Sequence, residues 1–133
     1  MLSILPQFLD YSFYAPTILR IALGAIFLVH GCPKLFGDRS QFAGWLASMG
    51  FRPGWAWALL VAIVEAVAGA LLVIGLFTQA AAAVLAVELF IIIIWFKYGQ
   101  KFVGGWEFDF VLLIMALALL VLGPGAWAID LPL

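Results

Sequence analysis

Charge is what this sequence has least of. Only 10% of its 133 residues are Asp, Glu, Lys or Arg, the formal net charge is −1, and no basic stripe runs along the chain. Binding a phosphate backbone needs clustered lysine and arginine, so nucleic acid is excluded as a partner. Cysteine is nearly absent as well. With Cys32 alone, the chain can form no internal disulfide, CxxC redox pair or cysteine metal cluster. Its single histidine, His30, stands in no metal-ligand spacing, and no flavin, haem or iron-sulfur ligation pattern is present. No metal site is expected, and electrons for any redox chemistry would come from a partner chain. The opening "MLSILPQFLDYSFYAP" has no basic n-region, and no small-residue cleavage site follows the first apolar run, so it does not read as a removable leader.

What the chain has instead is apolar surface. Hydrophobic residues make up 68% of it and the mean hydropathy is +1.25, far above the roughly 45–50% apolar share of soluble domains. Long apolar runs lie near 16–36, 55–77, 79–96 and 107–123, each about the 17–25 residues a spanning helix needs. None shows the period-two alternation of a membrane β-barrel. The reading is an all-α, integral membrane, antiparallel four-helix bundle forming a single membrane domain over 1–133.

Punctuation sets the connections. Pro16 suits the first turn of the first helix, where its missing N–H costs nothing. Pro33 removes a donor and crowds the carbonyl of Val29, so a kink or stop is expected there. In "DRSQFAGWLASMGFRPG", Asp38 can cap a short helix whose Phe42, Trp45 and Met49 share one face and which Gly50 ends, predicting an interfacial helix between the first and second spans. "GLFTQ" is so short that the second and third spans must be antiparallel neighbours. Trp55, Trp57, Trp95, Trp106 and Trp127 fall near span ends, as an aromatic belt would place them. The two connections opposite the termini and their flanks carry Lys34, Arg39, Arg52, Lys97 and Lys101. The positive-inside bias then puts these connections in the cytoplasm and the termini outside, in a multi-pass protein of the inner (plasma) membrane.

The unusual feature is charge inside the spans. On a helical wheel, Arg20, Gly24, Phe27, Gly31 and Lys34 fall within about 40° of one direction, with His30 at the edge of that stripe. The second span carries Glu65 and Gly69 on a matching face, and the third places Glu88 at nearly the depth of Glu65. An ionised group at mid-membrane costs about 2.5–3.5 kcal/mol, so these groups must pair or titrate. Two readings stay open. In one, Arg20 locks to Glu65, with Glu88 protonated or bonded to His30. In the other, Arg20, His30, Glu65 and Glu88 line a polar pocket for a quinone, a lipid headgroup or a proton. Lys34 is expected to snorkel to the interface. Glu107 and Asp109 lie about 200° apart on the fourth span, so capping and interfacial solvation are expected for both. Cys32 is expected to be a small packing residue.

The stretches "RIALGAIFLVHGCPKLFG", "FAGWLASMGF", "VEAVAGALLVIGLFT", "GGWEFDFVLLIMALALLVLGPG" and the terminal "AID", in this order, resemble the DoxX family of small four-helix membrane proteins over about residues 17–130. The resemblance implies a four-helix membrane domain, with relatives among the membrane subunits of thiosulfate:quinone oxidoreductase and others associated with membrane oxidoreductase assemblies. Matches to the family pattern are Arg20, Gly24, His30, Gly31, Lys34, Glu65, Gly69, Gly75, Glu107, Gly123, Gly125 and Asp130. The last of these makes an Arg20 to Asp130 contact a rival to Arg20 with Glu65. Gln79 and Ala128 depart from that pattern, and Glu88 matches no family motif.

The functional expectation is a membrane subunit of a redox complex with a pocket between the first two spans for a quinone, none of it covalently held. His30 and Glu65 would exchange protons there. Membrane lipid, a redox partner subunit and further copies of the chain are the expected partners. The competing expectations are a structural or assembly subunit whose charges only lock the helices, and a small oligomeric proton or solute transporter.

Overall fold

The structure, a computed structural model, describes residues 4–130. Helix α1 covers Ala15–Phe36, with Pro16 in its first turn. It does not stop at Pro33: the helix loses the one bond that a residue there would make to Val29 O and runs three residues further, Gly37 N–H closing on the Pro33 carbonyl at 2.8 Å. A tighter helical stretch, Pro6–Tyr14, precedes α1 with every residue exposed, so the first apolar helical unit runs Pro6–Phe36. Helix α2, Ser40–Ser48, is the short connecting helix, and Asp38 Oδ1 accepts the Ser40 N–H at 2.9 Å at its start. That bond holds the Asp38 carboxyl below its usual range. Helix α3 spans Gly54–Ile74. Helix α4, Thr78–Ile91, continues as a wide turn over Ile92–Phe96, and α5, Glu107–Leu122, follows a turn at Phe102–Trp106. Four helical units are long and apolar enough to cross a membrane.

The helices form a closed ring in which α1 packs on α3, α3 on α4, α4 on α5 and α5 on α1. The α1–α3 seam is the tightest, because glycines let the backbones meet. A Cβ added at Gly24 would stand 2.6 Å from the Gly69 carbonyl oxygen, and one at Gly31 would stand 2.5 Å from Ala66 N. These contacts fix an antiparallel register, Gly24 opposite Gly69 and Gly31 opposite Glu65 and Ala66. The interior is filled by Leu23, Phe27, Leu72, Leu85, Leu112 and Leu119, while Ile18, Val29, Val67, Val87, Ile94 and Val121 point outward. Helices apolar on every side are what a lipid surround requires.

Helix α2 lies against the start of α3 and is held by aromatic rings. Trp45 packs on Phe96 at 4.8 Å between centroids, and Phe51 contacts Trp57, Trp95 and Phe96. The two ends of the bundle therefore differ. One is covered by α2 and aromatic rings, the other by the chain after α5.

Candidate functional site

At the tail-covered end, Arg20 is completely buried and spends all five of its N–H groups on backbone carbonyls. Nη1 donates to Leu72 O (3.0 Å) and Val73 O (2.7 Å), carbonyls in the last turn of α3. Nε donates to Pro124 O (2.8 Å), and Nη2 to Ala126 O and Trp127 O (2.9 Å each). A cation at a helix C-terminus also meets the negative end of its dipole. The tail can approach because Gly75, at φ +73°, has no side chain; a Cβ there would stand 2.5 Å from Ala128 Cβ and 3.0 Å from Arg20 Cζ. Asp130 completes this end by accepting the N–H groups of Phe77 and Thr78, both at 2.7 Å, which caps α4. Burial raises the Asp130 pKa, but these N–H bonds and the nearby Arg20 charge outweigh it and hold the carboxyl below its ordinary range.

The expected Arg20 to Glu65 pair does not form. Glu65 stands opposite Gly31, eleven residues along α1 from Arg20, or about 16 Å of helix rise. Side chains on a helix also lean toward its N-terminus, which carries the guanidinium further away. Nor does Arg20 pair with Asp130: among the described residues the ion pairs are Lys34–Glu65 and Lys97–Asp109. Arg20 therefore belongs to a clasp at the tail-covered end and not to a pocket with the acids.

The same lean accounts for the partner that Glu65 does have. Lys34 does not snorkel to the interface. Its Nζ reaches back from the last turn of α1 to Glu65, 3.1 Å from Oε1 and 3.0 Å from Oε2, and sits 4.9 Å from the Phe42 ring centroid on α2. The Glu65 side chain is only 6% exposed and that of Lys34 is 32% exposed, so the pair joins the interior to the α2 end. Glu88 projects from α4 near them, with Glu65 and Lys34 as its charged neighbours. Its Oε2 is buried and has no hydrogen-bond partner.

His30 does not join this group. It is exposed on the side of α1 that meets α5, its ring 6.2 Å from that of Phe108, so the expected His30 bond to Glu88 and its place in a pocket with Glu65 are not found. Asp109 is not a solvated cap. It is buried and pairs with Lys97, which also donates to Gly105 O at 3.3 Å, tying the end of α4 to the start of α5. The first-turn position of Asp109 was legible in the sequence, but its pairing depends on how the α4–α5 turn folds back. Glu107 accepts the Gly104 N–H at 3.4 Å. Cys32 is half-buried.

The expected pocket between the first two spans is closed by the glycine seam. An apolar groove of about 250 Å³ lies instead between α3 and α4, walled by Ile63, Val64, Val67 and Leu71 on one side and by Ala80, Ala81 and Val84 on the other. Glu88 follows Val84 by one helical turn on the same face. A broader recess of about 880 Å³ lies at the tail-covered end between Phe77–Ala80, Val121–Pro124 and Ile129–Asp130.

Comparison with known proteins bears on this arrangement. The DoxX family model matches residues 15–98. A Bacillus subtilis (strain 168) protein named "Putative oxidoreductase CatD" is 33% identical over 115 residues, covering 85% of this chain and 82% of that protein. No solved structure matches significantly.

Proposed function

This chain belongs to the DoxX family, and from that premise we propose that it is the membrane subunit of a redox system, offering a quinone or similar lipid-soluble ligand a site between α3 and α4 at Glu88. Support for the redox role comes from the relative named "Putative oxidoreductase CatD". The observation that carries the ligand site is an apolar groove whose α4 wall ends at Val84, one helical turn short of Glu88, which is not itself part of the lining. The groove suits an isoprenoid tail entering sideways from lipid, and one turn beyond Val84 stands a carboxyl whose buried Oε2 has no partner. Such an orphaned oxygen is costly unless something bonds it, and a ring carbonyl or hydroxyl would do so. Lys34 and Glu65 beside it would hold charge near the ring.

A bound quinone would supply electron transfer coupled to uptake or release of protons. The protein's own share is to admit the tail, orient the ring and hold or pass the proton at Glu88. Electrons would come from a partner subunit. We place the chain in the inner (plasma) membrane with α2 toward the cytoplasm, a reading supported by Arg39, Arg52, Lys97 and Lys101 at that end.

Native mass spectrometry of gently solubilised protein, with lipid extraction of the same sample, tests the proposal. A stoichiometric quinone, lost in Glu88→Gln at unchanged helicity, is the expected result. Protein free of any such ligand, and unable to take one up from quinone-containing nanodiscs, would contradict it.

A further inference from the structure

The charged interior of the bundle is connected to one end only. From Glu88 toward α2, the next charged groups are Glu65 on α3 and Lys34 on α1, and the Lys34 side chain is 32% exposed. Lys97, just past the wide turn that follows α4, and Asp109 of α5 neutralise one another at the same end, while His30 faces outward beside Phe108. In the opposite direction apolar side chains fill the interior, and the buried hydroxyls of Thr17 and Thr78 lie beyond them at the tail-covered end. Leu23, Leu72, Leu85 and Leu119 are all completely buried, one from each helix of the ring. Behind them stands Arg20, whose donors are all occupied and whose guanidinium neither gives up a proton nor accepts one. A fixed arginine charge is also an electrostatic barrier to a passing proton.

We infer that Glu88 carries an exchangeable proton that equilibrates with the α2 side of the membrane alone, through Glu65 and the partly exposed Lys34. The step is a transfer between two carboxyl groups that are not hydrogen-bonded to each other at rest, so it requires rotation of the Glu88 side chain or an intervening water. The Glu88 carboxyl gives its proton to the Glu65 carboxylate and becomes the carboxylate; Glu65 then passes that proton to water at the Lys34 end, and Lys34 remains an ammonium throughout. The leucine layer offers no group to carry a proton the other way. The inference deepens the ligand reading above, since protons taken up or released by a ligand at Glu88 would then be exchanged on one side only and the chemistry would be vectorial.

A lipophilic carbodiimide tests this without any redox partner, because it reaches carboxyls from the lipid and reacts with them in the protonated form. Protein is reconstituted in vesicles of known orientation, the pH is set independently on each side, and modification of Glu88 is quantified by peptide mass spectrometry. Labelling should rise as the pH of the α2 side is lowered, approaching tenfold per unit above the titration range of the group, and should ignore the pH of the other side. Glu65→Gln should weaken this response while Glu88 remains labelled. Labelling that follows the tail-side pH, or both sides equally, overturns the inference. So does absence of Glu88 labelling at every pH in protein that labels when unfolded. One-sided labelling in protein that retains no quinone would leave the proton path standing and remove the ligand reading.

Discussion

Arg20 and Asp130 close the same end of the bundle without pairing with each other: one donates to five carbonyls and the other accepts two helix N–H groups. Positive charge meets the C-terminus of α3 and negative charge the N-terminus of α4, so each end of the α3–α4 hairpin receives the sign its dipole favours.

Arg20→Lys should be destabilising although it keeps the charge. An ammonium has three donors and no planar fork, so at least two of the five carbonyls lose a charged partner. At about 1.5–3 kcal/mol for each such bond, the loss should be at least about 3 kcal/mol. Reversible unfolding in mixed micelles measures it; a loss near zero would show that the tail is held by something else.

Acid should loosen the α4 cap. The Asp130 pKa is lowered in the folded protein, so its stabilisation is present above the unfolded carboxyl pKa of about 3.9 and is lost as the pH falls through the folded value. Asp130→Asn removes the charge and one of the two acceptor oxygens, so it should lower stability by about 1–3 kcal/mol at neutral pH and flatten the acid limb of a plot of Tm against pH. An unchanged acid limb would assign that titration elsewhere.

Breaking the interior pair from one side should cost more than removing it. Lys34→Met leaves Glu65 buried and unpaired, a change of about 3–5 kcal/mol, whereas Lys34→Met with Glu65→Met replaces both charges by packing and should recover much of it. A double variant that regains stability but no longer retains a ligand would separate function from locking. Additive losses would mean that the two side chains do not interact.

The glycine seam makes a contrasting pair of substitutions. Gly31→Ala places a methyl 2.5 Å from Ala66 N and should cost about 1–3 kcal/mol as α1 is pushed from α3. Gly44→Ala, on the open side of α2 with nothing within 4 Å, should be neutral or stabilise by about 0.5–1 kcal/mol. Equal effects at both positions would contradict the close α1–α3 approach.

The spans were legible because hydropathy and length suffice to locate them, and Gly50 and Gly75 stand where the chain turns. Pro6–Tyr14 was missed because its residues bury nothing and therefore carry no face pattern. The site was legible as a set of residues but not as partners. A wheel gives direction around one helix, whereas Lys34 finds Glu65 through the lean of side chains along the axis and a register set by Gly24 and Gly31. Arg20 was misassigned for a related reason. Its partners are backbone carbonyls, two at the end of α3 and three in a tail more than a hundred positions away, which no charge count reveals.

The most direct test of the account is photolabelling with a quinone that carries a diazirine on its tail, in native-like membranes, with the modified residues mapped by mass spectrometry. Label concentrated on α3 between Ile63 and Leu71 and on α4 between Ala80 and Glu88, displaced by unlabelled quinone, is the predicted result. Label spread over every lipid-facing helix in proportion to exposure, and not displaced, would contradict a ligand site at Glu88.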